Sequence, residues 1–313
     1  MRVAFTEAVD SILVRDARAM FFSGDLGFQA FEGLAAHLGP RFINAGVAEQ
    51  NMIGVAAGVA LTGIPVWVYS IAPFATLRCL EQIRNDVCLH DLPVRIVGNG
   101  GGYTYGIMGS THHALEDLAV LKALPNMQLF FPCSNNHVAA AVETMHGLGG
   151  PSYLRLAISG FPSDAPPLSE NSQTLTRVYR RRTAAGGVTI IGAGHGVQIA
   201  LSALALGLDA VNADIFGIAR FPLRMDLEED LVRSVSETGR VLFIEEHYAA
   251  GGIGESMRLA LGARAREFVL LAAEYSRDQK YGSAAFHLRQ CGMTPERVAE
   301  LAAVLASGSG AVA

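Results

Sequence analysis

The sequence predicts an α/β protein made of two three-layer domains with mainly parallel sheets. Three observations predict it. Short apolar runs alternate with helical patterns along the chain, which argues for parallel strands covered by helices on both faces. Half of the 313 residues are hydrophobic and only 17% are charged, enough for two large cores. Near the middle, Phe161-Pro-Ser-Asp-Ala-Pro-Pro-Leu-Ser-Glu-Asn-Ser-Gln173 is rich in Pro, Ser and Asp and reads as a linker. The domain limits expected are 1–160 and 184–313, with 161–183 between them.

In the first half, Val66–Ser70, Val94–Gly98, Gln128–Phe131 and Ser152–Leu156 read as buried strands, rich in β-branched and aromatic residues. Thr6–Ala17, Ala48–Thr62, Ala75–His90 and Asn136–His146 read as helices. The second half predicts strands over Val188–Ile191, Ala210–Ala213, Arg240–Glu245 and Phe268–Leu271. Thr294-Pro-Glu-Arg opens a last helix, with Thr as N-cap and Pro at the first helical position. Gly192-Ala-Gly-His-Gly196 lacks the full G-x-G-x-x-G and an acidic residue after the next strand, so it reads as a tight strand-to-helix turn rather than a dinucleotide site.

The net charge of -5 without a basic patch argues against nucleic acid as a partner. No basic segment leads into an apolar run at the N-terminus, and no uncharged stretch is long enough to span a bilayer; a cytoplasmic, non-membrane protein is expected. The four cysteines have no CxxC spacing and read as thiols in a reducing compartment.

The segment Asn44-Ala-Gly-Val-Ala-Glu49-Gln-Asn-Met-Ile-Gly-Val-Ala-Ala-Gly-Val-Ala60 stands out. It reads as a helix apolar nearly all round, hence buried, with Glu49 near its start. A carboxyl there is either a residue favoured by the helix dipole or a group whose proton affinity a site can tune.

Gly46-Val-Ala-Glu-Gln-Asn-Met52 resembles the pyrimidine-binding domain of transketolases, which use thiamine diphosphate. Further matching segments follow in the family's order: Arg41-Phe-Ile, Glu81-Gln-Ile-Arg84, Gly109-Ser-Thr-His-His113, Glu116-Asp-Leu-Ala119, Leu124-Pro-Asn-Met127 and Gly150-Pro-Ser-Tyr-Leu-Arg155. The likeness continues more faintly through Ile190-Ile-Gly-Ala-Gly194 and Glu245-Glu-His-Tyr-Ala-Ala-Gly-Gly-Ile-Gly254 to about Leu261, over what resembles the transketolase C-terminal domain.

The resemblance implies a chemistry. The cofactor's aminopyrimidine takes the proton that makes the cofactor a nucleophile, once a carboxyl group hydrogen-bonds its opposite ring nitrogen. Glu49 matches that carboxyl, and a buried, partly protonated Glu suits the role. Phe74 matches the aromatic that packs on the pyrimidine, unless it is ordinary core. Ile71 stands where the family often has a second aromatic. His112 matches an active-site histidine beside the reacting carbonyl. Asp25 matches another active-site acid, or is a turn cap. Arg78, Glu81 and Arg84 have helical i, i+3 spacing and read mainly as interface or salt-bridge residues, Arg78 being counted also with Asp25 and Ile71 among the cofactor contacts.

Three departures from the family pattern matter. No Gly-Asp-Gly, the motif that holds Mg²⁺ and the diphosphate, occurs. The resemblance therefore implies one chain of a split transketolase, whose N-terminal partner carries that motif, in an α2β2 heterotetramer. Met108 replaces an Asp that recognises a sugar hydroxyl. Gln29, Gly100 and Ile158 replace the Ser, His and Arg of the sugar-phosphate clamp. The run Gly98-Asn-Gly-Gly-Gly-Tyr-Thr-Tyr105 is open at the backbone and adds aromatics, Tyr103 among the expected substrate contacts. Together these imply transfer of a two-carbon ketol unit from a ketose to an aldehyde-type acceptor in a specialised pathway on small-molecule sugars. Two rivals stay open: the β subunit of a 2-oxoacid dehydrogenase or decarboxylating synthase, and a non-catalytic regulatory subunit.

Overall fold

The structure, a computed structural model, describes residues 1–157, 165–275 and 280–308. They form two compact units. The first holds Met1–Tyr105, Ser110–Phe130 and the segment from Asn135 to residue 157; the second holds Gly106–Gly109, Phe131–Ser134 and everything described from 165 onward.

In the first unit, strands β1 (Met20–Ser23), β2 (Phe42–Asn44), β3 (Val66–Ile71), β4 (Val94–Asn99), β5 (Gln128–Phe130) and β6 (Ser152–Leu156) stand in the order β5-β6-β4-β3-β1-β2, each pair parallel. The chain goes from β1 outward to β2 and then back to β3 on the other side of β1. That reversal opens a crevice at the carboxyl ends of β1 and β3, where ligands bind in open α/β sheets. Trp67 and Val68 of β3 are fully buried, as the near-continuous apolar runs predict.

Helix α1 (Arg2–Arg15), α2 (Glu32–Leu38) and α3 (Glu49–Ala60) cover this part of the sheet. Beneath α1 and α2 lies a cluster of rings: Phe31 meets Tyr69 edge-on at 4.7 Å and Phe21 at 5.0 Å, and Phe5 stacks on Tyr69 at 5.9 Å. Such pairs add about 0.5–1.5 kcal/mol each beyond their burial. The expected burial of α3 all round needs correcting. Glu49, Met52, Ile53, Ala56, Ala57 and Ala60 are buried, while Gln50, Asn51, Val55 and Gly58 form an exposed face.

The expected helix Ala75–His90 is not one helix. A four-residue turn α4 (Ala72–Ala75) has Pro73 as its second residue; irregular backbone follows over Thr76–Cys79; then α5 (Leu80–Gln82) passes into a widened π turn over Ile83–Cys88. Pro73 explains the early start, since a first helical turn needs no donor from it. Helices α6 (Asp117–Lys122) and α7 (Asn135–His146) complete the unit, α7 packing on α1.

Several residues that carry the family resemblance turn out to brace the fold. Arg41 Nη1 donates to the carbonyls of Leu13, Asp16 and Ala19 at 3.2, 3.1 and 2.9 Å. Buried Asp117 accepts from Tyr153 Oη at 2.7 Å and pairs with Arg155 Nε at 3.1 Å. Arg95, 1% exposed, donates to the carbonyl oxygens of Gly150 at 2.9 Å and Leu148, and burial pulls its guanidinium down to about 10.

In the second unit, β7 (Ser169–Asn171), β8 (Thr176–Arg180), β9 (Val188–Ala193), β10 (Ala213–Ile218), the short β11 (Arg220–Phe221), β12 (Arg240–Tyr248) and β13 (Glu267–Ala273) succeed one another. The sheet order is β13-β12-β9-β10-β8-β7, parallel from β13 to β10 and antiparallel from β10 to β7. Strands β7 and β8 occupy sequence that read as linker. Their flanking Pro and Ser content hid a short antiparallel pair, whose β7 is exposed. The strand expected over Ala210–Ala213 begins at Ala213, because Gly207, at φ 102°, leads into a 3₁₀ turn over Leu208–Ala210.

The glycine turn after β9 is as tight as its sequence implies. A Cβ on Gly192 would lie 2.2 Å from Val197 N, and one on Gly196 2.3 Å from Ile244 O. It leads into α8 (Gly196–Ser202), followed by α9 (Glu229–Thr238), α10 (Ile253–Leu261), α11 (Ala284–Gln290) and α12 (Pro295–Ser307). Thr294 caps α12, accepting from Arg297 N at 3.3 Å. Among the described residues no helix is long and apolar enough to cross a membrane.

Candidate active site

The crevice at the ends of β1 and β3 gathers most of the residues singled out by the sequence. Glu49 is the first residue of α3 and is 2% exposed. Its oxygens accept separate bonds: Oε1 from Ser70 Oγ at 2.9 Å, Oε2 from Arg78 Nη1 at 2.6 Å. Ser70, at the end of β3, is fully buried. Gly24, just past β1, closes the floor. A Cβ there would stand 3.1 Å from Ser70 Oγ and 3.6 Å from Glu49 Cγ. The expected carboxyl is therefore buried, but it already has two donors.

Arg78 reaches Glu49 because α4 ends at Ala75 and the backbone turns before α5. It does not pair with Glu81, as one continuous helix would have it. Its guanidinium carbon lies 4.3 Å above the centre of the Phe74 ring, a cation–π contact of about 0.5–1 kcal/mol at such half-exposed sites. Phe74 is not ordinary core. It is half-buried, and its ring meets His112 at 5.1 Å with the planes 68° apart. His112 ends a 3₁₀ turn over Ser110–His112 that packs on α4, and its Nδ1 lies 3.0 Å from Thr111 Oγ1. Ile71 follows Ser70 and is half-buried.

On the far side of His112 stands Tyr105, centroid to centroid 6.3 Å. Its hydroxyl accepts from Asn99 Nδ2 at 2.6 Å, and burial raises its proton affinity, so it stays a neutral donor. Gly100, at φ 93°, leaves room for this ring, since a Cβ would lie 2.2 Å from Tyr105 Cε2. Tyr103, the aromatic expected from sequence, is instead buried edge-on against His113 at 5.1 Å. Two tyrosines two residues apart look alike in sequence; the turn between them points only one toward His112. Ser70 and Asn99 were equally invisible, lone polar residues at strand ends.

Asp25 and Gln29 are exposed, at φ 58° and 60°. Asp25 accepts from Asn44 Nδ2 at 2.9 Å, and both line a small cavity of about 150 Å³ with Phe28 and Phe31 at the ends of β1 and β2. Met108 is half exposed, in the Gly106–Gly109 segment that belongs with the second unit. Ile158 lies outside the described residues. Among the described residues, no group of three or more His, Cys, Asp or Glu side chains is placed to hold a metal ion.

The crevice presents to a planar ring a carboxyl for its edge, an aromatic for its face, and an imidazole and a phenol beyond it, with the Arg78 guanidinium now lying over the aromatic.

Residues 1–159 match the family model described as transketolase, pyrimidine binding domain. The chain is 30% identical over 260 residues to a subunit of the apulose-4-phosphate transketolase of Phocaeicola vulgatus, covering 81% of this chain and 80% of that one. It is 29% identical over 264 residues to the 6-deoxy-6-sulfo-D-fructose transketolase subunit SqwH of a Clostridium species, covering 84% and 80%. A solved structure described as a split gene transketolase, inactive β4 tetramer, superposes with a TM-score of 0.79 at 29% identity over 97% of both chains.

Proposed function

This chain belongs to the transketolase family, and we propose that it is the pyrimidine-binding half of a two-chain transketolase that moves a two-carbon ketol unit from a ketose to an aldehyde-type acceptor. The observation that carries the reading is the juxtaposition of buried Glu49 with Phe74 and His112 in one crevice. Thiamine diphosphate, when bound, supplies the carbon nucleophile of the family's chemistry.

Glu49 holds the edge of the pyrimidine by a hydrogen bond, in a place where low polarity strengthens it. Phe74 gives the ring a face. His112 holds or passes a proton at the substrate oxygen, and Tyr105 donates its hydroxyl proton toward the same region. Ser70 fixes one oxygen of Glu49 and keeps the carboxyl oriented. Asp25, tied to Asn44, and Ile71 are the further cofactor contacts that the family resemblance implies.

The Mg²⁺ and diphosphate contacts come from a separate N-terminal chain with a Gly-Asp-Gly motif, the two chains forming an α2β2 assembly in the cytoplasm. The inactive state named for the related β4 tetramer supports a need for that partner. Relatives named for apulose-4-phosphate and for a sulfo-sugar support a substrate outside the ordinary pentose phosphates. Gln29 and Gly100 in place of the Ser and the His of the phosphate clamp, and Met108 in place of the hydroxyl-binding acid, support the same point.

The test is ketol transfer by this chain, alone and with a co-encoded Gly-Asp-Gly partner, in thiamine diphosphate and Mg²⁺. Activity only in the mixture, abolished by Glu49→Ala, is the expected result. Turnover of 2-oxoacids without ketose cleavage would replace this reading with the dehydrogenase one.

A further inference from the structure

Arg78 touches both groups that the pyrimidine needs. Its Nη1 holds Glu49 Oε2 at 2.6 Å, and its planar guanidinium covers Phe74 at 4.3 Å. A pyrimidine edge bonded to that oxygen, with its face on that side of Phe74, would lie where the guanidinium lies. Two flat groups cannot share one ring face at van der Waals distance.

We propose that Arg78 is a latch on the cofactor site, which competes with the pyrimidine and swings out for it to bind. The proposal rests on the thiamine diphosphate reading of the site. Three features make the exchange feasible. Glu49 is divided between an inner and an outer partner: Ser70, fully buried, stays on Oε1, while Arg78 holds Oε2. Opening the latch therefore frees one oxygen and leaves the carboxyl oriented. The Arg78 side chain is 42% exposed against 2% for Glu49, so its charge has water to return to. Residue 78 also lies in the irregular stretch between α4 and α5, tethered by Arg78 N on Pro73 O at 3.2 Å, so its side chain can turn without breaking a helix.

Until it is displaced, the latch neutralises a buried carboxyl, which would be costly to leave without a charged partner at low dielectric. It also makes cofactor affinity depend on a charge pair, and hence on salt.

The experiment measures thiamine diphosphate binding by calorimetry, in Mg²⁺, to the full chain mixed with its Gly-Asp-Gly partner. Arg78→Met keeps the length of the stem and removes the charge and the planar head. It is expected to bind about tenfold tighter than the unaltered chain, as a half-exposed pair plus a cation–π contact allows. Arg78→Lys should fall between the two. The advantage of Arg78→Met should shrink as KCl rises, because salt weakens the latch only in the unaltered chain.

Equal or weaker binding by Arg78→Met, while the unaltered chain binds, would overturn the latch and make Arg78 a direct contact or a bystander. Failure of both to bind would overturn the thiamine diphosphate reading itself.

Discussion

Two buried glutamates, one in each unit, show what separates the carboxylate of the candidate site from one of the scaffold. Glu49 is 2% exposed and Glu245 is 1% exposed, so burial does not tell them apart. Their partners do. Glu245 sits on β12 and accepts from two backbone amides at the start of α10, Ile253 N at 2.8 Å and Gly254 N at 3.0 Å. Those donors are fixed in the helix, and the macrodipole favours the negative charge. Its surroundings are full: a Cβ on Gly252 would lie 2.3 Å from Glu245 Oε1, and one on Gly254 2.8 Å from it. Glu49 is held by two side chains, one of them on a half-exposed arginine, beside a floor where a Cβ on Gly24 would press Ser70 Oγ at 3.1 Å, a milder approach than at Gly252. A carboxylate bonded to backbone cannot change partners without unfolding a helix end; one bonded to a movable side chain can.

The contrast is sharpest in activity. Glu49→Gln is expected to cut ketol transfer by the two-chain mixture about 10²–10³-fold, the range for removing a group that acts in the transition state. Its unfolding free energy should stay within about 1 kcal/mol, because Arg78 can return to water. Denaturant melts beside initial rates check both, and a large loss of stability would erase the distinction.

Glu245→Gln should do the reverse. It loses charge-assisted bonds to two amides and is expected to destabilise by about 2–3 kcal/mol, read as a shift in the urea midpoint. Turnover per folded molecule should not change.

The neighbouring glycines sharpen the comparison further. Gly252→Ala drives a methyl into Glu245 and should cost about 1–3 kcal/mol. Gly24→Ala meets Ser70 Oγ at 3.1 Å and needs only a small shift, so thermal melts should place its cost below about 1 kcal/mol. Equal costs would show that the two pockets are packed alike.

The smallest effect is the pH background of the first unit. Burial lowers the proton affinity of His146, while Asp16, with Oδ2 3.4 Å from Nε2, works in the opposite direction. The unfolded chain therefore takes up the proton first. This contribution to stability is complete above the ordinary histidine value of 6.5 and is lost as pH falls through it toward the lower folded value. His146→Gln should flatten the stability profile between pH 7 and 5 by less than about 1 kcal/mol. A steeper profile in the variant would reverse the sign.

Much of this was legible in the residues. The strands Val66–Ile71, Val94–Asn99 and Ser152–Leu156 are buried on both faces, so their apolar runs mark them out. The last helix announced itself by Thr294 and Pro295, because capping is local chemistry. Glu49 stood out as a lone acid in small apolar sequence, and the segments around it carried the family. The break after Ala75 was not legible: the apolar spacing of 75–90 suits a helix, and only the packing of α3 and α4 resolves the early turn and the π widening. Strands β7 and β8 were missed because a short edge pair needs few apolar residues.

By itself, then, the chain determined its α/β class, its two-part organisation, and the carboxyl, ring and imidazole of the candidate site, since these depend on residue type and short-range order. Tertiary structure alone decided who partners whom: Arg78 on Glu49 rather than Glu81, Tyr105 rather than Tyr103 beside His112, and the amides of Ile253 and Gly254 on Glu245. Those choices are made between residues well apart in the chain, or by the direction of a single turn, and no local pattern records them.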